Sequence, residues 1–362
     1  MFTLPKYTAP DFNQSYLKEA PNAKWEEANV DGVVPDYFHS TSMFPEYVKV
    51  DGEWILAEES RMDSCIILND DRTLSVIEAR NVKKGQKVIL GRSEDGSEGI
   101  LVHSHGFEDD VKENEEQFVF RTGRSRETSY AKAYDELYSL LDYEKEHGKV
   151  VLVMGPACSF DHDARLAVQS LIERGYIHAL MAGNALATHD LEVGLFGTAL
   201  GQHAYSLESV ENGHYNHLEV LNRVRRAGSI EKFIDEEKID SGIMYACVKK
   251  GIPFVLTGSI RDDGPLPEVI GNAYEGQSKM RDVIRDATTV ICLATQLHTI
   301  ATGNMTPSYR VINGEVRPVY FYAVDISEFV TNKLLDRGSL SATTITANVQ
   351  DFVILLNRGV GK

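Results

Sequence analysis

Side chains able to do chemistry gather where an apolar segment stops. Ile177 to Ala182 reads as a buried strand, and it empties into Gly183-Asn184-Ala185, with Thr188, His189, Asp190 and Glu192 close behind. Glycine lets a ligand approach the backbone, asparagine offers both a donor and an acceptor, and His, Asp and Glu can move protons. The plain alternative for the titratable residues is the solvated first turn of a helix, where acids are favoured by the dipole. A second cluster, Gly258-Ser259-Ile260-Arg261-Asp262-Asp263-Gly264, sets an arginine beside two acids between glycines. Arginine can grip a carboxylate through two parallel hydrogen bonds, and paired carboxylates can hold an ammonium or shuttle a proton. A turn rich in Asp and Gly is the ordinary reading, yet a turn alone does not need arginine next to two acids. His214, Asn216 and His217 have a ligand-like spacing. Without a CxxC or HExxH partner, capping or hydrogen bonding is favoured, and no metal site is expected.

These groups act together only if the fold assembles them. Continuous apolar strands are expected at Val150 to Met154, Ile177 to Ala182, Pro253 to Thr257, Thr289 to Ala294 and Val319 to Val324, with a sixth around Thr344 to Thr346. Between them the period changes. Ala164, Ala167, Val168, Leu171 and Ile172 recur at helical spacing up to Gly175, as do Leu218, Leu221 and Val224 up to Gly228, and a longer helix is expected from Thr128 to His147. Such alternation predicts an α/β fold, a doubly wound parallel sheet covered on both faces. Ligands then sit at the carboxyl ends of the strands, near a switch in strand order. Those ends are polar or glycine-rich: Gly155-Pro156-Ala157-Cys158-Ser159, Gly183-Asn184-Ala185, the Arg261 loop, Thr295-Gln296-Leu297-His298 with Gly303-Asn304, and Asp325. The Gly155 loop can bind a pyrophosphate on free N–H groups, although no GxGxxG fingerprint exists and a glycine after a strand is also an ordinary turn. Asp325 suits either ribose hydroxyls or the N-cap of a helix beginning near Ser327.

Residues 1–30, broken by Pro5, Pro10 and Pro21, read as an arm with at most one short helix, and residues 31–106 as a smaller β-rich domain. Its strands are expected near Tyr47 to Val50, Glu53 to Leu56, Cys65 to Leu68, Lys87 to Leu90 and Gly99 to Val102, with a turn at Asp51-Gly52. A charged linker, 107–127, leads to the α/β domain, 128–362, which carries an insertion-like Asn313 to Pro318 before its fifth strand. The apolar fraction of 43% supports a sizeable core. A formal charge of −17 argues against nucleic acid or an anionic membrane as partner, because phosphate binding needs a basic face. Cys65, Cys158, Cys247 and Cys292 are far apart and read as core residues. The start MFTLPKYTAPDF has no apolar leader and no run approaches the ~20 residues of a membrane helix, so a cytoplasmic protein is expected.

The stretches DGVVPDYFHSTS, VMGPA, AGNALATHDLEVGLFGTALG, GHYNHLEVLNRVRRAGSI, SGIMYACVKKGIPFVLTGSIRDDGPLPEV, LATQLHTIATGN and VDIS together resemble the NAD-dependent ornithine cyclodeaminases of archaea and cyanobacteria, from about Asp31 to the C-terminus. In cyanobacteria that region follows an arginine dihydrolase part, and it has also been labelled a lysine-ketoglutarate reductase/saccharopine dehydrogenase region. The resemblance implies a Rossmann-like, deoxyhypusine synthase-like NAD-binding domain, a small amino-acid substrate and a homo-oligomer. It also implies conversion of L-ornithine to L-proline and ammonia by removal of hydride from Cα, ring closure, loss of ammonia and return of the hydride. Such a reaction needs a tightly held cofactor, a base, and opposite charges for the two ends of the substrate. Within the region that the resemblance marks, Asn184, Asp190 and the Asp262/Asp263 pair are assigned to the amines, and Arg261 or His217 to the carboxylate. Gly155, Ala157, Gly183, Asn184, Ala185, Ser259 and Asp325 are assigned to NAD. Family members carry a further structured stretch before DGVVP, whereas here that segment is short and polar. The guanidine-modifying domain is missing, so arginine hydrolysis is not expected. The rival readings are an NAD(P)-dependent amino-acid or imine dehydrogenase, a non-catalytic NAD-binding protein, and metal-assisted hydrolysis.

Overall fold

A computed structural model describes residues 2–107, 131–262, 264–327 and 341–362. The expected linker, apart from Phe107, therefore lies outside the described residues, as do Asp263 and all but the start of the helix expected after Asp325.

Seven strands build the larger unit: β1 (Val150–Met154), β2 (Ala179–Gly183), β3 (Phe254–Thr257), β4 (Val269–Ile270), β5 (Thr289–Leu293), β6 (Tyr320–Asp325) and β7 (Ala342–Thr346). They form one parallel sheet in the order β4-β3-β2-β1-β5-β6-β7. Among the described residues its helices are α1 (Ala131–His147), α2 (His162–Glu173), α3 (Asn184–Phe196), α4 (Asn216–Ala227), α5 (Ile230–Glu236), α6 (Ile243–Lys250), α7 (Ala273–Ile284), α8 (Gln296–Met305) and α9 (Val349–Gly359). Successive strand residues face opposite sides. Val150, Leu152 and Met154 enter the core shared with α1 to α6 and α9, while Val151 and Val153 enter a second core with Met280, Ile284 and Met305 of α7 and α8. The sheet is thus covered on both faces, which is why every residue of β1 and β5 is buried. The chain winds one way from β1 to β4 and the other way from β5 to β7. A crevice consequently opens beyond the carboxyl ends of β1 and β5. The two-residue β4 is too short to give a periodicity signal.

The β-rich unit holds a four-stranded antiparallel sheet of Lys24–Glu27, Lys87–Leu90, Cys65–Leu68 and Leu74–Ile77, in that order, and a three-stranded one of Glu53–Leu56, Glu46–Val50 and Ile100–Val102. Asp51 and Gly52, both at positive φ, make the tight turn expected there. The first 30 residues are more than an arm: Lys24–Glu27 is an edge strand on Lys87–Leu90, and Leu17 of the short helix Ser15–Lys18 is buried beside Tyr47 and Leu101. Asn313 to Pro318 forms the second half of a hairpin, Tyr309–Ile312 against Glu315–Pro318, turning at Asn313 and Gly314 with positive φ at both. Tyr309 and Arg310 of the first strand of that hairpin pair with Ser60 and Glu59, so this strand joins the two units and the insertion is the outer strand beside it. Among the described residues no helix is long and apolar enough to cross a membrane.

Candidate active site at the carboxyl ends of the strands

Gly155 follows β1 directly. Its φ of −79° is open to any residue; space is what demands glycine, since a Cβ here would lie 2.1 Å from the Ala294 carbonyl oxygen. The Gly155 amide donates to Leu293 O at 2.9 Å, and Ala294 takes a left-handed φ of +46° to leave β5. The exits of β1 and β5 therefore touch backbone to backbone, and a one-turn 3-10 helix, Pro156–Phe160, starts from that contact. Gly183 ends β2 and precedes α3; a Cβ on it would stand 3.5 Å from His298 Cε1 and 3.7 Å from Thr257 O. His298 Nε2 lies 2.9 Å from Thr257 Oγ1, so β2, β3 and α8 meet at this point. Burial lowers the His298 pKa, which keeps the imidazole neutral at neutral pH. The bare backbone of Gly155 and Gly183 beside half-buried Ala157 and Ala185 suits a dinucleotide, whose pyrophosphate must come close to the main chain.

The loop after β3 folds on its own acid. Asp262 Oδ2 accepts from the Ser259 amide at 2.8 Å and Oδ1 from Ser259 Oγ at 3.2 Å, while the Arg261 amide donates to Ser259 Oγ at 3.1 Å. Ser259, Ile260 and Arg261 remain exposed. Asn184, the first residue of α3, is buried and uses both ends of its amide on this loop. Its Oδ1 accepts from the Leu266 amide at 3.0 Å, and its Nδ2 donates to Gly264 O at 3.2 Å. The Asn184 side chain thus holds the Arg261 loop in place, with one N–H and one oxygen lone pair left over.

The expectation that Asp190 meets the substrate amines is corrected. It is fully buried: Oδ1 accepts from Arg165 Nε at 2.7 Å and from the Ile243 amide at 2.9 Å, and Oδ2 from the Met244 amide at 2.8 Å. It pairs with a buried arginine and caps the start of α6 from a neighbouring helix, out of reach of a ligand. Asp325 Oδ1 accepts from the Ser327 amide at 2.8 Å, the turn-closing geometry of a cap, while the residue stays half-buried. His217 opens α4 with its ring centroid 6.1 Å from that of His189. His189 Nδ1 is 2.8 Å from Glu192 Oε2. All four cysteines are buried, and burial pushes the Cys65 thiol up to about 11 and the Cys158 thiol up to about 12, as inert core residues require. The residues that sequence reasoning left without a role are Thr257, His298 and Arg165. His298 stood at a strand end and so had a usable signal; Arg165, within an amphipathic helix, had none.

A family profile described as arginine dihydrolase ArgZ-like, C-terminal, Rossmann fold matches residues 137–356, and its companion, the first region of the same C-terminal part, matches residues 45–130. The chain is 36% identical over 348 residues to a protein of Methanocaldococcus jannaschii named ornithine cyclodeaminase, covering 94% of this chain and 78% of that one. The crystal structure of a LOR/SDH protein from Methanococcus maripaludis S2 superposes with a TM-score of 0.83 at 35% identity, over 94% of this chain and 98% of the other. A crystal structure of AgrE in ternary complex with ornithine and NAD+ gives a TM-score of 0.59 at 33% identity, over 94% of this chain and 46% of AgrE. With a Rossmann-type sheet, a glycine-lined crevice and likeness along nearly its whole length, the chain belongs to the ArgZ-like C-terminal family.

Proposed function

We propose that this chain converts L-ornithine to L-proline and ammonia with NAD held beyond the carboxyl ends of β1, β2, β3 and β6. The observation that carries the reading is the 36% identity, over 94% of the chain, to a protein named ornithine cyclodeaminase. When bound, NAD⁺ takes up a hydride and gives it back, so substrate and product differ by ammonia and not by oxidation state. Gly155, Ala157, Gly183, Ala185 and Ser259 would hold it through main-chain approach, and Asp325, with one oxygen on Ser327, would take ribose hydroxyls with the other. Arg261, exposed on its loop, would grip the substrate carboxylate, with His217 the alternative; Asp262 and Asp263 would face the amines. Anchoring the charged ends of a short diamino acid separately fixes which carbon faces the cofactor and brings the distal amine near it. Asn184 supports this indirectly, by fixing the loop. The exposed apolar residues Leu200, Tyr205, Leu207, Tyr215 and Leu218 support a homo-oligomer, which sedimentation equilibrium checks. A cytoplasmic setting completes the reading.

The test is incubation with ornithine and a catalytic amount of NAD. Proline and ammonia formed without accumulating NADH is the expected result. NADH formed in step with substrate consumption would make the protein a dehydrogenase, and no ammonia from any diamine would remove the enzymatic reading.

A further inference from the structure

Next to the Gly155 turn lies an arrangement that the reading above does not use. His189 and Glu192 are three residues apart on α3, with Nδ1 of the imidazole 2.8 Å from Glu192 Oε2. Glu192 is fully buried, and among the described residues no lysine or arginine pairs with it. Its second oxygen accepts from Thr198 Oγ1 at 3.0 Å, and Thr198 Oγ1 in turn accepts from Asn216 Nδ2 at 2.7 Å. A carboxylate removed from water without a cation is costly unless strong donors surround it, and here the imidazole N–H is that donor. The geometry fixes the tautomer: Nδ1 carries hydrogen toward Glu192, and Nε2 is left with a lone pair. Among the described residues Nε2 has no hydrogen-bond partner. The side chain keeps 11% exposure, between the Phe160 ring at 5.2 Å and the His217 ring at 6.1 Å. Phe160 ends the 3-10 turn that begins beside Gly155, so the His189 ring packs against the turn that leads away from the cradle assigned to the cofactor.

We propose that His189 is the general base of this reaction and that Glu192 positions it; the proposal rests on the ornithine reading. Hydride can leave Cα only if the α-nitrogen has a lone pair to form the C=N bond. His189 Nε2 therefore takes one proton from the substrate α-ammonium, breaking that N–H bond, and Glu192 stabilises the resulting imidazolium. The δ-ammonium also gives up a proton before its nitrogen attacks; of the two protons one ends on the departing ammonia and the other on the proline nitrogen, so the ornithine cation yields a proline zwitterion plus ammonium with atoms and charge conserved.

His189→Asn is the decisive variant, because its short amide reaches only the Nδ1 position. It keeps a partner for Glu192 and deletes Nε2. We expect kcat to fall about 10²- to 10⁴-fold, with ornithine KM and NAD affinity within about three-fold, an unchanged thermal midpoint and partial rescue by added imidazole. Glu192→Gln should lower kcat by a comparable factor through the wrong tautomer, at unchanged KM. In the unaltered protein, the nitrogen resonance of His189 Nε2 should move when ornithine binds. A fully active His189→Asn variant, a loss that tracks unfolding without imidazole rescue, or an unmoved resonance each overturns the assignment while ornithine turnover by the parent stands. A parent chain that releases no ammonia from ornithine overturns the ornithine reading, and this assignment with it.

Discussion

Neighbouring residues of α3 have opposite environments. Asp190 is ringed by Arg165 Nε and two amides of α6, all within 2.9 Å, whereas His189 one position earlier has a single partner and an open nitrogen. Replacing Asp190 by Asn would leave Arg165, 2% exposed, as an uncompensated buried cation. A loss of about 3–5 kcal/mol in urea unfolding is expected, and a variant as stable as the parent would show that the pair contributes little. His298 supplies a pH-dependent term. Its folded pKa is lowered by burial, so below the ordinary imidazole value near 6.5 the unfolded chain binds a proton that the folded chain resists, and stability falls as pH drops through that value toward the depressed one. His298→Gln should flatten the stability profile across that acid window and leave it unchanged above it, as measured by denaturant midpoints at a series of pH values.

At the level of elements, the turn after β1 is set by how closely two strand exits approach. Gly155→Ala would drive a methyl group to 2.1 Å from the Ala294 carbonyl, and since that atom belongs to a left-handed backbone position it cannot move cheaply. The expected outcome is a loss of about 1–3 kcal/mol in stability together with at least ten-fold weaker NAD binding by calorimetry, because the cradle must widen. Undiminished affinity would place the cofactor elsewhere. In α3, sequence pattern alone does not separate ligand-facing from packed polar residues. Nine of its thirteen residues, Asn184, Leu186 to Val193, are buried, polar and apolar alike. A helix covered on all sides has no amphipathic stripe to tell which polar residues face a ligand.

The whole molecule is held at the seam between its two units. Arg61, 4% exposed, lies 2.6 Å from Glu78 in an electrostatic contact off the hydrogen-bond angle, and donates through Nη1 to Asn304 O across the seam at 3.2 Å. Arg281 of α7 reaches Glu59 at 2.8 Å, and Tyr309 donates to Ala57 O at 2.8 Å. Arg61→Ala should cost about 3 kcal/mol by leaving Glu78 without its cation, and calorimetry should resolve an earlier transition from the β-rich unit. One unsplit transition at the parent temperature would mean that the seam is held by the hairpin pairing alone.

Local patterns were enough for the α/β architecture. β1 was legible to the residue because five consecutive apolar residues between Lys149 and Gly155-Pro156 permit little else, and α2 and α4 because their apolar residues recur at helical spacing before a glycine. The strand ends, and hence the neighbourhood of the site, followed from that alternation and from glycines that precede helices. Which acid is buried in an ion pair, which amide ties down a loop and which histidine keeps an open nitrogen depend on partners distant in sequence: Asp190 on Arg165 and Ile243, Asn184 on Leu266, His189 on the approach of Phe160 and His217. A side chain's type states what it can bond; only tertiary packing decides what is left for it to bond with.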